Sequence, residues 1–145
     1  MEKLIELMKV YFATNFQYYV KSHGYHVNVV GADFYQYHKL FQKVYEDSQT
    51  NIDAIAEEIR TLQGKVPFST KRIMELSKIN SAEDTPTGLV MVKELLDDTE
   101  IVCETIRAAR LLSIKENAFG LVNYLEGRLD EHYKLQWMLR STIEK

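Results

Sequence analysis

One cysteine in 145 residues, Cys103, leaves no internal disulfide and no multi-cysteine zinc module. Six glycines and two prolines supply too few turn residues for a many-stranded sandwich or barrel. The glycines also never fall at the spacing of a phosphate-binding loop. No apolar run approaches the roughly 18 residues that a membrane-spanning helix requires. The opening MEKLIELMKV lacks the layout of a secretory signal. There is no basic excess either: 18 Lys and Arg stand against 21 Asp and Glu, a net charge of −3, which gives no footprint for nucleic acid. The expectation is a cytoplasmic chain forming a single domain over residues 1–145, large enough to bury a core without staples.

What is present reads as helix. The breaks cluster at Ser22–Gly31, at Gly64–Ser69 with Pro67, and from Asn80 to Gly88 with Pro86. Between them the apolar period is helical, predicting helices over 3–22 with fraying on to His26, and over 34–62, 70–78, 86–113 and 118–142. Asp33, Ser69 and Thr85 are the expected N-caps, Pro86 the first residue of its helix, and Gly64 the stop of the second. In that second helix Phe34, His38, Phe41, Tyr45, Ser48, Ile52, Ile55, Ile59 and Leu62 alternate spacings of four and three, the seam of a left-handed bundle. The fold class is all-α: a four-helix bundle with a short extra helix in the long connection between its second and third long helices.

Few residues suit chemistry. Cys103 lies on an apolar stripe with no histidine near it in sequence, which reads as a buried, inert thiol. None of His23, His26, His38 and His132 has an acid three positions earlier, so the Glu-x-x-His pattern of an interior di-metal centre is missing. A looser set of metal-type donors remains: His26, His38, Asp53 and Glu57. Asp53 and Glu57 lie one turn apart on one helix face, about 120–160° from the centre of the apolar seam at 100° per residue. His38 and Asp53 are fifteen residues apart on the same helix, or about 22 Å at 1.5 Å per residue, so no ion can touch both within one subunit. Two copies packed antiparallel across a two-fold axis would set His38 of one against the acids of the other, making two identical sites. Nitrogen and carboxylate donors suit Fe(II), and also Zn(II) or Mn(II).

The stretch from His26, HVNVVGADFYQYHKLFQKVYEDSQTNIDAIAEEIRTL, strongly resembles the core of the Dps proteins, the mini-ferritins. It carries a histidine, the turn Asn28-Val29-Val30-Gly31, a second histidine twelve positions on, and Asp53-x-x-x-Glu57 near the end of the helix. Pro67-Phe68-Ser69-Thr70 and the run from Gln136 to Arg140 resemble the same family. The resemblance implies a ferritin-like fold and a homododecameric shell built from two-fold dimers. It implies ferroxidase centres at the dimer interfaces, with His26 and His38 from one subunit and Asp53 and Glu57 from the other as metal ligands and catalytic residues. Fe(II) would be oxidised there, by hydrogen peroxide or O2, and mineralised inside the shell, protecting against oxidative damage.

Against the family pattern, Val27 stands where many members have tryptophan, and Gln42 where an additional acid is frequent, which would weaken a second iron position. Glu116, Asn117, Phe119 and Asn123 form a less acidic lining than usual where the family's three-fold pores open. DNA binding is not expected, because no lysine-rich tail is present to neutralise phosphates. The alternatives are a metal-binding shell without enzymatic activity and a DNA-compacting protein with a secondary iron site. His23 reads as an exposed histidine at a helix end, His132 as a packed one. Phe12, Phe16, Tyr18, Tyr19, Tyr37 and Tyr45 read as core and interface packing.

Overall fold

The computed structural model describes residues 1–144. Among them the chain forms five helices and no strand: α1 (Glu2–Asn28), α2 (Phe34–Thr61), α3 (Thr70–Leu76), α4 (Gly88–Lys115) and α5 (Phe119–Ile143). Two helical hairpins, α1–α2 and α4–α5, pack together, and α3 lies in the long connection and rests on α1. The start of α1 meets the ends of both α2 and α4, through Ile5 against Gly64 and the Met1 amino group against Glu116. Consequently α4 runs parallel to α2 and antiparallel to α1, an order that only a long crossover permits.

The seam residues meet in a common core. Leu4, Met8, Tyr11, Phe12, Phe41, Ile55, Ile59, Met91, Leu95, Ile106 and Leu125 are fully buried, and Cys103 is buried with its thiol pushed up to about 11 by desolvation. The ends of the seams depart from expectation. Phe34 and Leu89 stay exposed, each in the first turn of its helix.

Two boundaries differ from the sequence reading in ways that shape the fold. Helix α1 does not stop at Ser22 but continues through Gly24 to Asn28. Gly24 meets nothing where a side chain would be, so it marks no break; the buried Tyr25 and His26 hold the last turn down. The break is the five residues 29–33, where Gly31 takes φ +120, a conformation that favours glycine. Helix α4 begins at Gly88 rather than Pro86, and Thr87 rather than Thr85 caps it, accepting from the Val90 N–H at 3.4 Å. Gly88 is needed there because a Cβ would run into the Tyr37 ring. Asp33 occupies the N-cap of α2 without a side-chain capping bond, whereas Ser69 caps α3 by accepting from the Arg72 N–H.

The end of α2 assigns its residues unexpectedly. Gln63, not Gly64, takes the left-handed conformation (φ 69), and the Gly64 N–H closes the helix on the Ile59 carbonyl at 3.0 Å. Gly64 serves close approach instead: a Cβ would lie 2.6 Å from Ile5 Cγ2.

Candidate metal centre

Helix α1 ends and α2 begins so that His26 and His38 face one another across the break. Their rings stack with centroids 3.8 Å apart and planes 16° apart. Each Nδ1 lies 2.7 Å from the other residue's backbone carbonyl, His26 to His38 O and His38 to His26 O. A carbonyl can only accept, so each Nδ1 carries a hydrogen and donates it. In the neutral imidazoles both Nε2 atoms then hold the free lone pair, the arrangement by which a second hydrogen bond orients a histidine for a metal. The bond from His38 also satisfies the His26 carbonyl in the last turn of α1, which would otherwise need water. His26 is buried and His38 half-buried.

A polar network anchors this end of α1. Lys21 Nζ sits 2.8 Å from Asp98 and 3.2 Å from Glu94, both on α4, and the Tyr25 hydroxyl donates to Glu94 at 3.1 Å. Burial raises the Asp98 carboxyl above the usual carboxylate range, while the Lys21 ammonium opposes that rise. Tyr25 is held on one side of the helix and His26 is thereby aimed at α2.

Asp53 and Glu57 lie farther along α2, and both are exposed. At 100° per residue they sit about 60° and 100° round the helix from His38, on the same outward side, and Asp53 is about 22 Å along the axis from it. The single subunit therefore brings the two histidines together and leaves the two acids apart from them. Among the described residues no three His, Cys, Asp or Glu side chains gather in one subunit as a metal would require. Gln42, one turn after His38, donates through Nε2 to Glu46 at 2.7 Å.

His23 corrects one expectation. It is half-buried, not exposed: its ring lies flat on Tyr45 at 3.9 Å, and its Nδ1 is 2.9 Å from the Tyr19 hydroxyl. Tyr45 in turn leans on His26 at 4.9 Å.

A second polar group lies in the bundle interior, where His132 is packed as expected but its partners Arg128 and Asp47 escaped the sequence reading. Arg128 of α5 is buried and pairs with Asp47 of α2. His132, one turn on, is fully buried; desolvation first and Arg128 second push its imidazole down to about 3. The Tyr11 hydroxyl is pushed up to about 12 by burial, and Tyr124 donates to Asn51 at 2.8 Å. The signal was available in part: Arg128 falls three after Leu125 and four before His132, on the buried face of its helix.

Comparison with known proteins agrees with this fold. The ferritin-like domain family matches residues 5–145. A low temperature-induced protein of a Nostoc species is 36% identical over 97% of this chain and 80% of its own length. DNA protection during starvation protein 2 of Bacillus anthracis is 28% identical over 99% of both chains. The crystal structure of the DPS protein from Vibrio cholerae O1, described as a member of a broad superfamily of ferritin-like diiron-carboxylate proteins, superposes with a TM-score of 0.94. It is 26% identical and is matched over 99% of this chain and 90% of its own. The helix order, the crossover with its short helix and these matches along the whole chain have one reading: the chain belongs to the ferritin-like family, as an iron-storing mini-ferritin of the Dps kind.

Proposed function

We propose that this mini-ferritin is a ferroxidase whose centre is divided between two subunits. His26 and His38 of one subunit and Asp53 and Glu57 of the partner subunit bind Fe(II), in two copies per two-fold dimer, and twelve subunits close into a shell that stores the ferric product. The observation that carries the reading is the reciprocal histidine pair. It leaves both Nε2 lone pairs free for a metal, and among the described residues no acid joins the two histidines in a three-ligand cluster within the subunit. The exposed acids, on the same side of α2, supply the opposite half when a second copy packs antiparallel.

The donor set fits iron. Two imidazoles and two carboxylates suit Fe(II), and Zn(II) or Mn(II) would bind the same ligands. The carboxylates favour the ferric state by their charge, while the neutral imidazoles hold Fe(II) before oxidation. Hydrogen peroxide is the proposed oxidant, with O2 as the alternative. Two Fe(II) ions give one electron each to one peroxide, its O–O bond breaks, and with two waters the products are two ferric oxyhydroxide units and four protons. Reactive Fe(II) and peroxide are removed together, in the cytoplasm.

Size-exclusion chromatography with iron detection, after anaerobic Fe(II) loading and one peroxide pulse, tests the proposal. Iron eluting with a particle of twelve subunits is expected. An iron-free particle of that size would reduce the protein to a shell, and a monomer or dimer with precipitated iron would refute the assembly.

A further inference from the structure

Buried polar atoms without a hydrogen-bond partner among the described residues gather in the bundle interior. They are the Tyr11 hydroxyl and Asn15 Oδ1 on α1, and Arg128 Nε and His132 Nδ1 on α5. Asp98 Oδ2, elsewhere, is 2.8 Å from the Lys21 ammonium. Helices α1 and α5 run parallel and lie diagonally across the bundle. Tyr11 stands beside Arg128 and Tyr124, and the Tyr18 ring meets the His132 ring at 6.0 Å. Asn15 falls between Tyr11 and Tyr18 on the same face of α1, level with the turn from Arg128 to His132. Direct side-chain bonds join only neighbouring helices here: Asn15 to Ser48, Tyr18 to Thr99, Tyr124 to Asn51 and Arg128 to Asp47. The diagonal is left with the four orphaned atoms.

Their chemistry selects a ligand. Asn15 Nδ2 donates to the Ser48 carbonyl at 2.9 Å, which fixes the amide and leaves Oδ1 as an acceptor. Arg128 spends Nη1 and Nη2 on Asp47 and keeps its Nε–H. His132 Nε2 lies 3.5 Å from Arg128 Nη2, which can only donate, so the neutral ring carries its hydrogen on Nδ1. The hub therefore presents two N–H donors, one amide acceptor and a phenol that can do either. A cation is repelled by the N–H groups and the guanidinium, and an anion by Asn15 Oδ1 and the Asp47 carboxylate. Water, with two lone pairs and two hydrogens, answers all four. We infer that each subunit binds an internal water here, which accepts from Arg128 Nε–H and His132 Nδ1–H and donates to Asn15 Oδ1 and the Tyr11 hydroxyl oxygen. It braces α1 against α5 across the diagonal and gives the buried His132 a partner on both ring nitrogens. Its way in is the cleft of about 400 Å³ between α2 and α5, lined in part by Asp47 and Asn51. The site needs neither metal nor second subunit, so it stands apart from the ferroxidase centre.

A crystal structure of the full, unsubstituted chain at atomic resolution, with anomalous data collected at long wavelength, tests the site. One peak without anomalous signal is expected, about 2.7–3.2 Å from Arg128 Nε, His132 Nδ1 and Asn15 Oδ1. An anomalous peak there, from a metal or chloride, would overturn the choice of ligand. Direct contact among those side chains with nothing between them would overturn the site itself. Oxygen-17 relaxation dispersion, which counts long-lived internal waters in solution, gives a second reading. His132→Phe keeps a ring against Tyr18 and removes the N–H, and should lose one such water per subunit. An unchanged count in a folded His132→Phe protein would overturn the inference, and should that variant fail to fold, the crystal structure decides.

Discussion

The molecule has two clusters of histidine and carboxylate, and they are built on opposite plans. In the bundle interior, Asp47 is paired with Arg128, and His132 accepts from the same guanidinium at 3.5 Å. The cluster supplies its own cation, holds its histidine neutral by burial, and repels any metal. At the α1–α2 break, buried His26 and half-buried His38 each bond the other's backbone carbonyl through Nδ1 and keep Nε2 free, while Asp53 and Glu57 are exposed farther along the helix. One cluster is complete within a subunit. The other is half of something. The same residue types serve stability in the first place and, on the proposed reading, chemistry in the second, and the difference lies in where their partners are.

That contrast can be broken at several points. The largest effect is expected at the surface acids: Asp53→Ala combined with Glu57→Ala should reduce peroxide-driven Fe(II) oxidation, followed by stopped-flow absorbance, to the rate of free iron. Because both residues are exposed, unfolding stability of the subunit should change by no more than about 0.5 kcal/mol per site. The interior should behave oppositely. Arg128→Met leaves Asp47 partly buried without its cation and should cost about 3 kcal/mol in urea unfolding. Adding Asp47→Leu should recover part of that loss, since a removed pair costs less than a broken one.

A further effect, spread over a wide range, concerns pH. The His132 imidazole is depressed from 6.5 to about 3 by burial. The unfolded chain therefore takes up a proton that the folded chain refuses. The stability this group contributes is complete above 6.5 and is lost as pH falls toward 3. His132→Gln should flatten the fall of unfolding free energy in that window by about 1.4 kcal/mol per pH unit, read from urea midpoints. The smallest expected change is at Ser69→Ala, which removes the 3.4 Å capping bond of α3 and should cost about 0.5 kcal/mol by the same measurement.

Much of this was legible in the sequence because it rests on spacing. The alternation of four and three in α2 placed the core, and the fifteen residues from His38 to Asp53 put the exposed acids out of the histidine's reach within one subunit. The reciprocal hydrogen bonds of His26 and His38 were not legible. They depend on α1 continuing through Gly24, and a glycine with open space around it looks the same in sequence as one that ends a helix. The start of α4 was misplaced for a related reason: Pro86 suits a first helical turn, but the contact of Gly88 with Tyr37, far off in sequence, sets the boundary. The Arg128–Asp47 pair was missed because it depends on which faces of α2 and α5 meet. His23 was misread for want of Tyr45, whose ring reaches it only once α1 and α2 are packed.

The central claim is that one centre takes its histidines from one subunit and its acids from another, and complementation tests it directly. His26→Ala with His38→Ala in one chain, and Asp53→Ala with Glu57→Ala in the other, should each give assemblies without rapid Fe(II) oxidation. Co-assembled at equal ratio, with mixing verified by mass spectrometry, they should recover about a quarter of the sites, since half the dimers are mixed and each restores one of its two centres. Mixed assemblies that remain inactive, or either parent that stays active alone, would contradict a site shared across the two-fold axis.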